Sequence, residues 1–390
     1  MSVSRRRLFT AVAELGALAA VSRVFPSHIF AQDARPAVAA GKEKLIVRSL
    51  RPPDYETPVA LLDSWLTPVD NFYVRSHLPL PPATDAAAWT LRVEGEVATA
   101  VTLSMADLRR LPSTTLTATL ECAGNGRGSY DPPVAGVQWG RGAVGNARWT
   151  GVRMSEVLKR AGIRSAGRFV VMDGADLPPG TMPDFVRQLP IDKAMHADTV
   201  IAYEMNGQPL PFVHGFPLRA IVPGWEGAYW MKWLTSLRVV DREFDGFWVA
   251  TAYRYPSRRV APGAAVPAGD MAPLTGLAVK SLITRPLDGS THAPGAIDVA
   301  GFAWAGEHDI ARVDVSTDDG ATWRPARLTG EQARFTWRRF EFGFTATQPE
   351  SRLIIARATD SSGRTQPVVP PWNPSGYLWN APDRVRIEVK

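Results

Sequence analysis

The stretch TLECAGNGR, residues 119–127, holds the only cysteine in this chain of 390 residues. A lone cysteine cannot form an internal disulfide, so Cys122 is a buried structural thiol, a reactive thiolate or a metal ligand. Two glycines and Arg127 follow it, and glycine lets backbone approach closely while a nearby cation favours the thiolate. The stretch follows a predicted strand. These surroundings favour a ligand on a loop.

The first residues resemble an export signal. SRRRLF (Ser4 to Phe9) places arginines before a modest apolar run, Leu8 to Val24, which Glu14 interrupts. This pattern predicts a twin-arginine signal over residues 1–31 and a periplasmic protein exported in the folded state. A basic tail, or a signal kept as a membrane anchor, is the alternative.

Charge and composition exclude two classes of protein. Removing residues 1–31 takes away four arginines and one glutamate, which lowers the formal net charge from +6 to +3. That charge is too small to indicate nucleic-acid binding. No later segment approaches ~18 uninterrupted apolar residues, so we expect no membrane span in the mature chain. With 45% hydrophobic residues, the chain is predicted to form two domains.

A proline- and glycine-rich segment, residues 256–276, separates two patterns. Before it, strands are predicted at Thr90–Val97, Arg168–Gly174 and Thr199–Pro211, the last turning at Asn206-Gly207. Short helices are predicted at SMADLRRL, capped by Ser104, and at RMSEVLKRAG, closed by Gly162. This is an α+β pattern.

After residue 276 the helical period disappears. Runs such as AIDVAGFAWAG and RLIIARATD alternate or are β-branched, and Asp-Gly or glycine-rich turns separate them. This spacing predicts a β-sandwich.

Five motifs occur in an order that resembles the sulfite oxidase family of molybdenum enzymes, from about residue 43 to the C-terminus. They are NFYVRSHLPLP, ECAGNGR, ARWTGVRMSEVLKRAG, AYEMNGQPLPFVHGFPLRAIVPGWEGAYWMKWL and PPWNPSGY. The resemblance implies a sulfite-oxidase-type molybdopterin-binding domain at residues 43–258. An immunoglobulin-like β-sandwich that mediates homodimerisation would follow at residues 275–390.

The resemblance also implies a function, namely oxidation of sulfite to sulfate at a molybdenum-molybdopterin cofactor. Cys122 would be the metal ligand, because a soft thiolate suits molybdenum. Catalytic roles fall on the positions that match the family's substrate pocket, which are Arg75, Arg127, Trp139, Tyr253 and Arg357. Arginine presents a planar fork of donors that suits an oxyanion. Tyr255 is a neighbouring candidate for the role of Tyr253.

The cofactor itself calls for groups that bind a phosphate and a pterin. The matching positions are Tyr73, Arg75, His77, Asp176, His214, Arg219, Trp230, Met231 and Lys232. Asp173 is an alternative to Asp176, since the loop DGADLPPGTMPD aligns loosely.

The chain departs from the animal pattern of the family at two positions, where Ala135 and Ala252 replace a lysine and an acidic residue. The pocket is therefore expected to carry less charge. One cysteine leaves no Cys-x-x-Cys-His site, so we expect no haem in this chain and a separate electron acceptor such as a c-type cytochrome. Trp304, Trp323 and Trp337 are predicted to anchor the homodimer.

Three other functions stay open. A nitrate reductase or a sulfane-sulfur dehydrogenase could use the same scaffold, the second with a wider and less cationic pocket. A catalytically silent cofactor-binding or assembly module would lose Cys122 or the arginines, and the sequence retains them.

Overall fold

Strands dominate the structure, a computed structural model that describes residues 38–390. The predicted export signal at residues 1–31 lies outside the described residues. No helix in the described part is long and apolar enough to cross a membrane. Helices are few and short, so the α+β prediction holds only in part.

The N-terminal region, residues 38–276, contains fourteen strands. They are β1 (Ile46–Leu50), β2 (Pro53–Glu56), β3 (Thr90–Gly95), β4 (Val101–Ser104), β5 (Ser113–Glu121), β6 (Val144–Arg153), β7 (Phe169–Gly174), β8 (Arg187–Pro190), β9 (Val200–Met205), β10 (Gln208–Pro209), β11 (Arg219–Ile221), β12 (Leu234–Val240), β13 (Arg254–Pro256) and β14 (Met271–Pro273). One five-stranded sheet has the order β10-β9-β6-β5 with β11 also on β9, and the other has β4-β3-β12-β7-β8. Both sheets contribute to one large apolar core.

Four short helices connect these strands: α1 (Met105–Arg109), α2 (Met154–Ala161), α3 (Ile191–Ala194) and α4 (Phe247–Ala250). Ser104 caps α1 as predicted, because its hydroxyl accepts from the Asp107 amide while the Asp107 carboxylate accepts from the Ser104 amide. Gly162 ends α2 at a φ of 69°, which confirms the second cap. The predicted Asn206-Gly207 hairpin is also confirmed, with Met205 opposite Gln208.

The C-terminal region, residues 277–390, contains only strands as regular elements. They are β15 (Lys280–Arg285), β16 (Thr291–His292), β17 (Gly295–Trp304), β18 (Ile310–Ser316), β19 (Arg324–Pro325), β20 (Arg327–Thr329), β21 (Arg338–Ala346), β22 (Glu350–Asp360) and β23 (Asp383–Val389). Their two sheets, ordered β15-β17-β21-β20 and β16-β23-β22-β18-β19, share one apolar cluster. We call it the C-terminal cluster; it includes Val315, Phe340, Ile354, Ala358 and Val385.

A buried ion pair joins the two regions. Lys280 on β15 donates to the Glu121 carboxylate at the end of β5 at 2.5 Å, and both side chains are almost fully buried. Trp304 donates its indole N–H to the other Glu121 oxygen at 2.8 Å. The pair therefore fixes the residue that precedes Cys122 against the second region.

The predicted dimer anchors Trp304 and Trp337 are 2% and 0% exposed within a single chain, where they pack with Phe302 and Leu62. Their use as interface residues is wrong, because one chain already covers them. Trp323 is half-buried beside Arg357.

Candidate active site

Cys122 is the first residue after β5, and the loop that follows it is fixed by backbone hydrogen bonds. Its N–H donates to the Ala143 carbonyl at 2.9 Å, and its own carbonyl accepts from Asn125 at 2.8 Å. Burial raises the pKa of the Cys122 thiol, and the cations Arg75 and Arg127 oppose that rise. Burial outweighs the favourable charges that the sequence suggested, so coordination to a metal would have to draw off the proton.

The two glycines of this loop allow close approach, as the sequence predicted. A Cβ on Gly124 would lie 2.7 Å from the Arg127 guanidinium. Gly126 has a φ of 89°, and a Cβ there would lie 2.6 Å from the Trp379 ring. Any other residue at Gly126 would be strained and would displace the C-terminal segment from the loop.

A cavity opens beside Cys122, and it gathers most of the side chains predicted from the sequence. We call it the Cys122 cavity. The predicted residues on its wall are Tyr73, Arg75, His77, Cys122, Asp176, His214, Arg219, Trp230, Met231, Lys232 and Tyr253. They come from segments far apart in the chain.

Arg75 is held on the cavity wall by a buried carboxylate. One of its terminal nitrogens, Nη1, donates to both Asp54 oxygens, at 3.0 and 3.1 Å. Burial raises the pKa of Asp54, and the adjacent Arg75 opposes that rise. The pairing leaves the other guanidinium nitrogens of Arg75 free of any carboxylate contact within residues 38–390.

Three basic side chains line another part of the wall. Lys232 donates to the Ser76 hydroxyl at 2.8 Å, and Arg219 donates to the His214 carbonyl at 3.0 Å. Burial lowers the pKa of Lys232 to about 7 and that of Arg219 to about 10. His214 Nε2 and Arg219 Nε are buried without a partner among the described residues. Such orphaned polar atoms on one wall suit an anionic group.

Asp176 supplies the carboxylate that the sequence left between two candidates. It is 4% exposed and lines the cavity, whereas its rival Asp173 does not. Burial raises the pKa of Asp176 to about 6, and Lys232 opposes that rise. The geometry therefore favours Asp176 for contacts to the pterin.

Tyr253 enters the cavity from a strained backbone, with a φ of 52°. Its hydroxyl forms a short hydrogen bond with His77 Nε2, and its ring stacks on Tyr377 at 5.3 Å and 7°. Burial raises the pKa of Tyr253 above its ordinary value and lowers that of His77 well below its own. Tyr255 does not line the cavity, so Tyr253 is the better candidate.

Arg127 and Trp139 lie behind the wall. Arg127 is 8% exposed, donates to the carbonyls of Ser375 and Val137, and lies over the Tyr377 ring at 5.2 Å. Its charge nevertheless opposes the rise of the Cys122 pKa. Trp139 is fully buried and packs edge-on against Tyr73, with ring centroids 6.3 Å apart.

Arg357 is not brought to the cavity. On β22 its neighbours Ala356 and Ala358 point into the C-terminal cluster, so the period of two turns Arg357 to the other face of the sheet. There its guanidinium stacks 4.1 Å from the Trp323 ring centroid. The C-terminal region reaches the site instead through the PPWNPSGY motif, which carries Ser375 and Tyr377.

Several site residues escaped the sequence analysis. Ser76 and Phe185 line the cavity, and Asp54 orients Arg75. Arg187 is buried beside Tyr253, with its Cζ atom 4.9 Å from the ring centroid. A lone arginine in the otherwise uncharged run FVRQLP was the available signal for it. Tyr377 lay within a quoted motif that was given no role.

The residues present fit a molybdenum-pterin group. Residues 38–390 hold no cluster of three or more His, Cys, Asp or Glu that could bind a bare ion. Cys122 offers one soft thiolate, and the unpartnered His214 and Arg219 nitrogens suit a phosphate. Asp176 can accept from pterin N–H groups.

Comparison with known proteins agrees with this fit. The profile of the oxidoreductase molybdopterin binding domain matches residues 77–248, and that of the Mo-co oxidoreductase dimerisation domain matches residues 272–390. The chain is 38% identical to mitochondrial sulfite oxidase of Rattus norvegicus over 88% of its own length and 66% of the rat protein. It thus spans about two thirds of that relative.

Two further relatives extend the match. Sulfite oxidase of Gallus gallus is 38% identical over 86% of this chain and 76% of its own length. The solved structure of sulfane dehydrogenase SoxCD from Paracoccus pantotrophus superposes with a TM-score of 0.76 at 27% identity, covering 93% of this chain and 96% of that one. With matches of this extent to both regions, the chain belongs to the sulfite oxidase family of molybdopterin-dependent oxidoreductases.

Proposed function

We propose that this enzyme oxidises sulfite to sulfate and passes the two electrons to a separate acceptor, a c-type cytochrome. Sulfite gains one oxygen from water and releases two protons and two electrons. The observation that carries the proposal is one cavity whose wall holds a thiol, a phenol and a guanidinium group, those of Cys122, Tyr253 and Arg75, with the positive charge of Arg127 behind it. A small dianion needs such cations to leave water.

The chain's part in holding the cofactor is divided along the wall. Cys122 would be the protein ligand of molybdenum, and His214, Arg219 and Lys232 would hold the phosphate. Asp176 and the segment at Trp230 and Met231 would hold the pterin. When bound, the molybdenum centre supplies the oxygen transfer and accepts the two electrons.

The arginines give sulfite its place. Asp54 holds Arg75 through one nitrogen, which leaves the other end of the guanidinium for an oxyanion. Arg127, with its Nε and Nη1 fixed by carbonyl groups, adds positive charge from behind. The two act together because fixed cations in a buried site are only weakly screened.

Tyr253 and His77 form a hydrogen-bonded pair that can accept or hold a proton at the edge of the cavity. Burial and the neighbouring cations lower the pKa of His77, so its imidazole is neutral at neutral pH and can accept the phenol hydrogen of Tyr253. The phenol oxygen can in turn accept a hydrogen bond or hold a proton at the edge of the cavity.

Arg127→Gln tests the substrate. Losing the positive charge that Arg127 places behind the cavity should raise the Michaelis constant for sulfite about 10- to 100-fold in an assay with ferricyanide as acceptor. Arg127→Lys keeps the charge without the planar fork and should fall between. Arg160→Gln, an exposed arginine on α2, is the control and should match the wild type. An unchanged Michaelis constant in Arg127→Gln would reject Arg127 as a substrate-binding residue.

The sulfane and nitrate alternatives predict different substrates. The identity of 38% to two sulfite oxidases supports sulfite. The retained cations support it too, because a neutral sulfane sulfur needs none. Turnover of thiosulfate or nitrate faster than sulfite by the purified holoenzyme would overturn the proposal.

We also propose a periplasmic homodimer. The match of residues 272–390 to a dimerisation domain supports the dimer, and the exposed Val368 and Val369 offer apolar surface for it. Sedimentation of the mature protein at micromolar concentration should give twice the chain mass. Replacing Arg5, Arg6 and Arg7 with lysine should retain the protein in the cytoplasm on cell fractionation.

A further inference from the structure

Arg187, the first residue of β8, is a buried cation between two tyrosine rings. It is 2% exposed. Its Cζ atom lies 4.4 Å from the centroid of the Tyr229 ring and 4.9 Å from that of Tyr253. Both distances are within the range of a favourable cation–π contact, and desolvation strengthens such a contact.

The hydrogen-bonding groups of Arg187 are poorly satisfied. Its Nε and Nη1 have no partner among the described residues, and no carboxylate in residues 38–390 forms an ion pair with it. Its strand neighbour in β7 is Met172, which is fully buried and apolar. The Tyr229 hydroxyl accepts a hydrogen bond from Arg187, which opposes the rise that burial causes in the Tyr229 pKa. Two unpartnered nitrogens on a buried cation still destabilise a fold, so stability alone does not account for Arg187.

The ring that Arg187 contacts is one that needs support. Tyr253 has a φ of 52°, in the left-handed region that a tyrosine adopts only under strain. Tyr377 stacks parallel on the same ring, and Arg127 lies over Tyr377. The contacts therefore run from Arg187 to Tyr253, from Tyr253 to Tyr377 and from Tyr377 to Arg127. A cation lies at each end of this pair of stacked rings.

We propose that Arg187 is a positioning residue for catalysis, which holds the ring of Tyr253 so that its hydroxyl meets His77 at the cavity edge. Arg187 acts through Tyr253 and is not itself on the cavity wall. The proposal rests on the proposed function, because that function gives Tyr253 its role. In this proposal the Arg187 guanidinium serves catalysis by holding the Tyr253 ring, and it does not serve mainly to stabilise the fold.

The first test compares Arg187→Met with Arg187→Lys in the holoenzyme. Methionine keeps the length and loses the charge, so kcat for sulfite should fall about ten- to thirtyfold while KM changes less than about threefold. Lysine keeps a cation near the ring and should recover part of kcat. The thermal midpoint of Arg187→Met should change little, because relief of the buried charge offsets the loss of the cation–π contacts.

A matched control is available in the C-terminal region. Arg324 is exposed and lies over the Phe342 ring at 4.7 Å, far from any role in the site. Arg324→Met removes a comparable cation–π contact and should leave kcat and KM unchanged. A tenfold loss there would mean that the assay reports general damage.

A double-mutant cycle separates positioning from other roles. Once Tyr253→Phe has removed the hydroxyl, adding Arg187→Met should cost no further activity. Independent, multiplying losses would overturn the proposal, and so would a raised KM at unchanged kcat, since that would make Arg187 a direct ligand of the anion. Normal kcat in Arg187→Met beside a slow Tyr253→Phe would overturn it as well.

A crystal structure of Arg187→Met gives a readout that needs no turnover. The hydrogen bond between Tyr253 and His77 should be broken or the ring displaced, and an unmoved Tyr253 would refute the positioning role. Failure of the proposed function has a different signature. In that case the wild type would not oxidise sulfite, or Tyr253→Phe would be fully active, while the crystallographic result for Arg187 would stand by itself.

Discussion

The Cys122 cavity and the C-terminal cluster are both buried, yet they are built by opposite rules. The C-terminal cluster consists of valine, isoleucine, alanine and phenylalanine on two facing sheets. The cavity gathers arginine, lysine, histidine and aspartate at similar depth. Of the described side chains with buried polar atoms lacking a partner, only Thr329 and Arg357 lie in the C-terminal region. Function concentrates in the region where burial is least favourable.

The two regions contribute differently to the stability of the folded chain. Burial lowers the pKa of His77 and of Lys232 and raises that of Asp176, so it favours the neutral form of each group. Holding these groups in the interior destabilises the folded state of the metal-free protein. The C-terminal cluster contains no titratable side chain, so burial has no such cost there. A cofactor that binds this wall would therefore stabilise the N-terminal region far more than the C-terminal one.

Removing the Cys122 thiol should have the largest effect, because it should abolish function at the cavity and leave stability nearly unchanged. Cys122→Ala should abolish molybdenum binding and sulfite oxidation while changing the free energy of unfolding of the metal-free protein by no more than about 1.5 kcal/mol, because a methyl group replaces a small buried thiol. Metal analysis and denaturant unfolding measure the two effects. Molybdenum retained at one atom per chain in this variant would show that Cys122 is not the ligand.

Breaking the buried ion pair tests whether the two regions are independent. Lys280→Met leaves Glu121 buried and unpaired, which should lower the free energy of unfolding by about 3–5 kcal/mol in urea. Lys159→Met is the control, because its 2.9 Å pair with Glu156 is exposed and should contribute far less to stability. Equal losses in the two variants would contradict the coupling of the regions.

A cavity in the C-terminal cluster should change stability alone. Ile354→Ala, at a position with no exposure, should cost about 2–5 kcal/mol of unfolding free energy. The KM for sulfite of the folded enzyme should not change. Leu287→Ala, at a side chain that is 41% exposed, should be nearly neutral. A large shift in KM for Ile354→Ala would mean that the cluster shapes the site.

Two aspartates sharpen the contrast through pH. Burial raises the pKa of Asp176 to about 6, so its contribution to stability is present below pH 3.8 and is lost as pH rises through 6. Asp176→Asn should therefore stabilise the metal-free protein at pH 7.5 and do so less at pH 4.5. Urea unfolding at the two pH values measures this.

Asp318, in the C-terminal region, should respond with the opposite sign. Hydrogen bonds from Thr322 and Ser316 lower its pKa to about 2, so its stabilising contribution is present above pH 3.8 and is lost as pH falls through 2. Asp318→Asn should destabilise slightly and equally at pH 4.5 and 7.5. The same sign of change in both variants would refute the assignment of opposite environments.

Local sequence signals predicted local structure well. The cap at Ser104 and the turn at Asn206-Gly207 each depend on neighbours within a few residues, so the local sequence reveals them. The same holds for Gly124, which faces Arg127. Most of the cavity wall was also predicted, because its residues lie in recognisable motifs.

The errors concern contacts between distant segments. Arg357 looked like a pocket arginine, but the strand period directs it away from the cluster and onto Trp323. Trp304 and Trp337 looked like interface anchors, and a single chain buries both. Arg187 was missed because its partners, Tyr229 and Tyr253, come from other elements. A linear pattern carries no information on which faces meet.

The segment at Leu378 and Trp379, which packs on the cysteine loop, affects the order in which the protein folds. The Leu378 amide donates to the Ala123 carbonyl at 3.0 Å, and Trp379 fills the space above Gly126. These residues follow Cys122 by more than 250 positions in the sequence. The cysteine loop therefore takes its final form only after the segment at Leu378 and Trp379 has been synthesised and has folded back onto it.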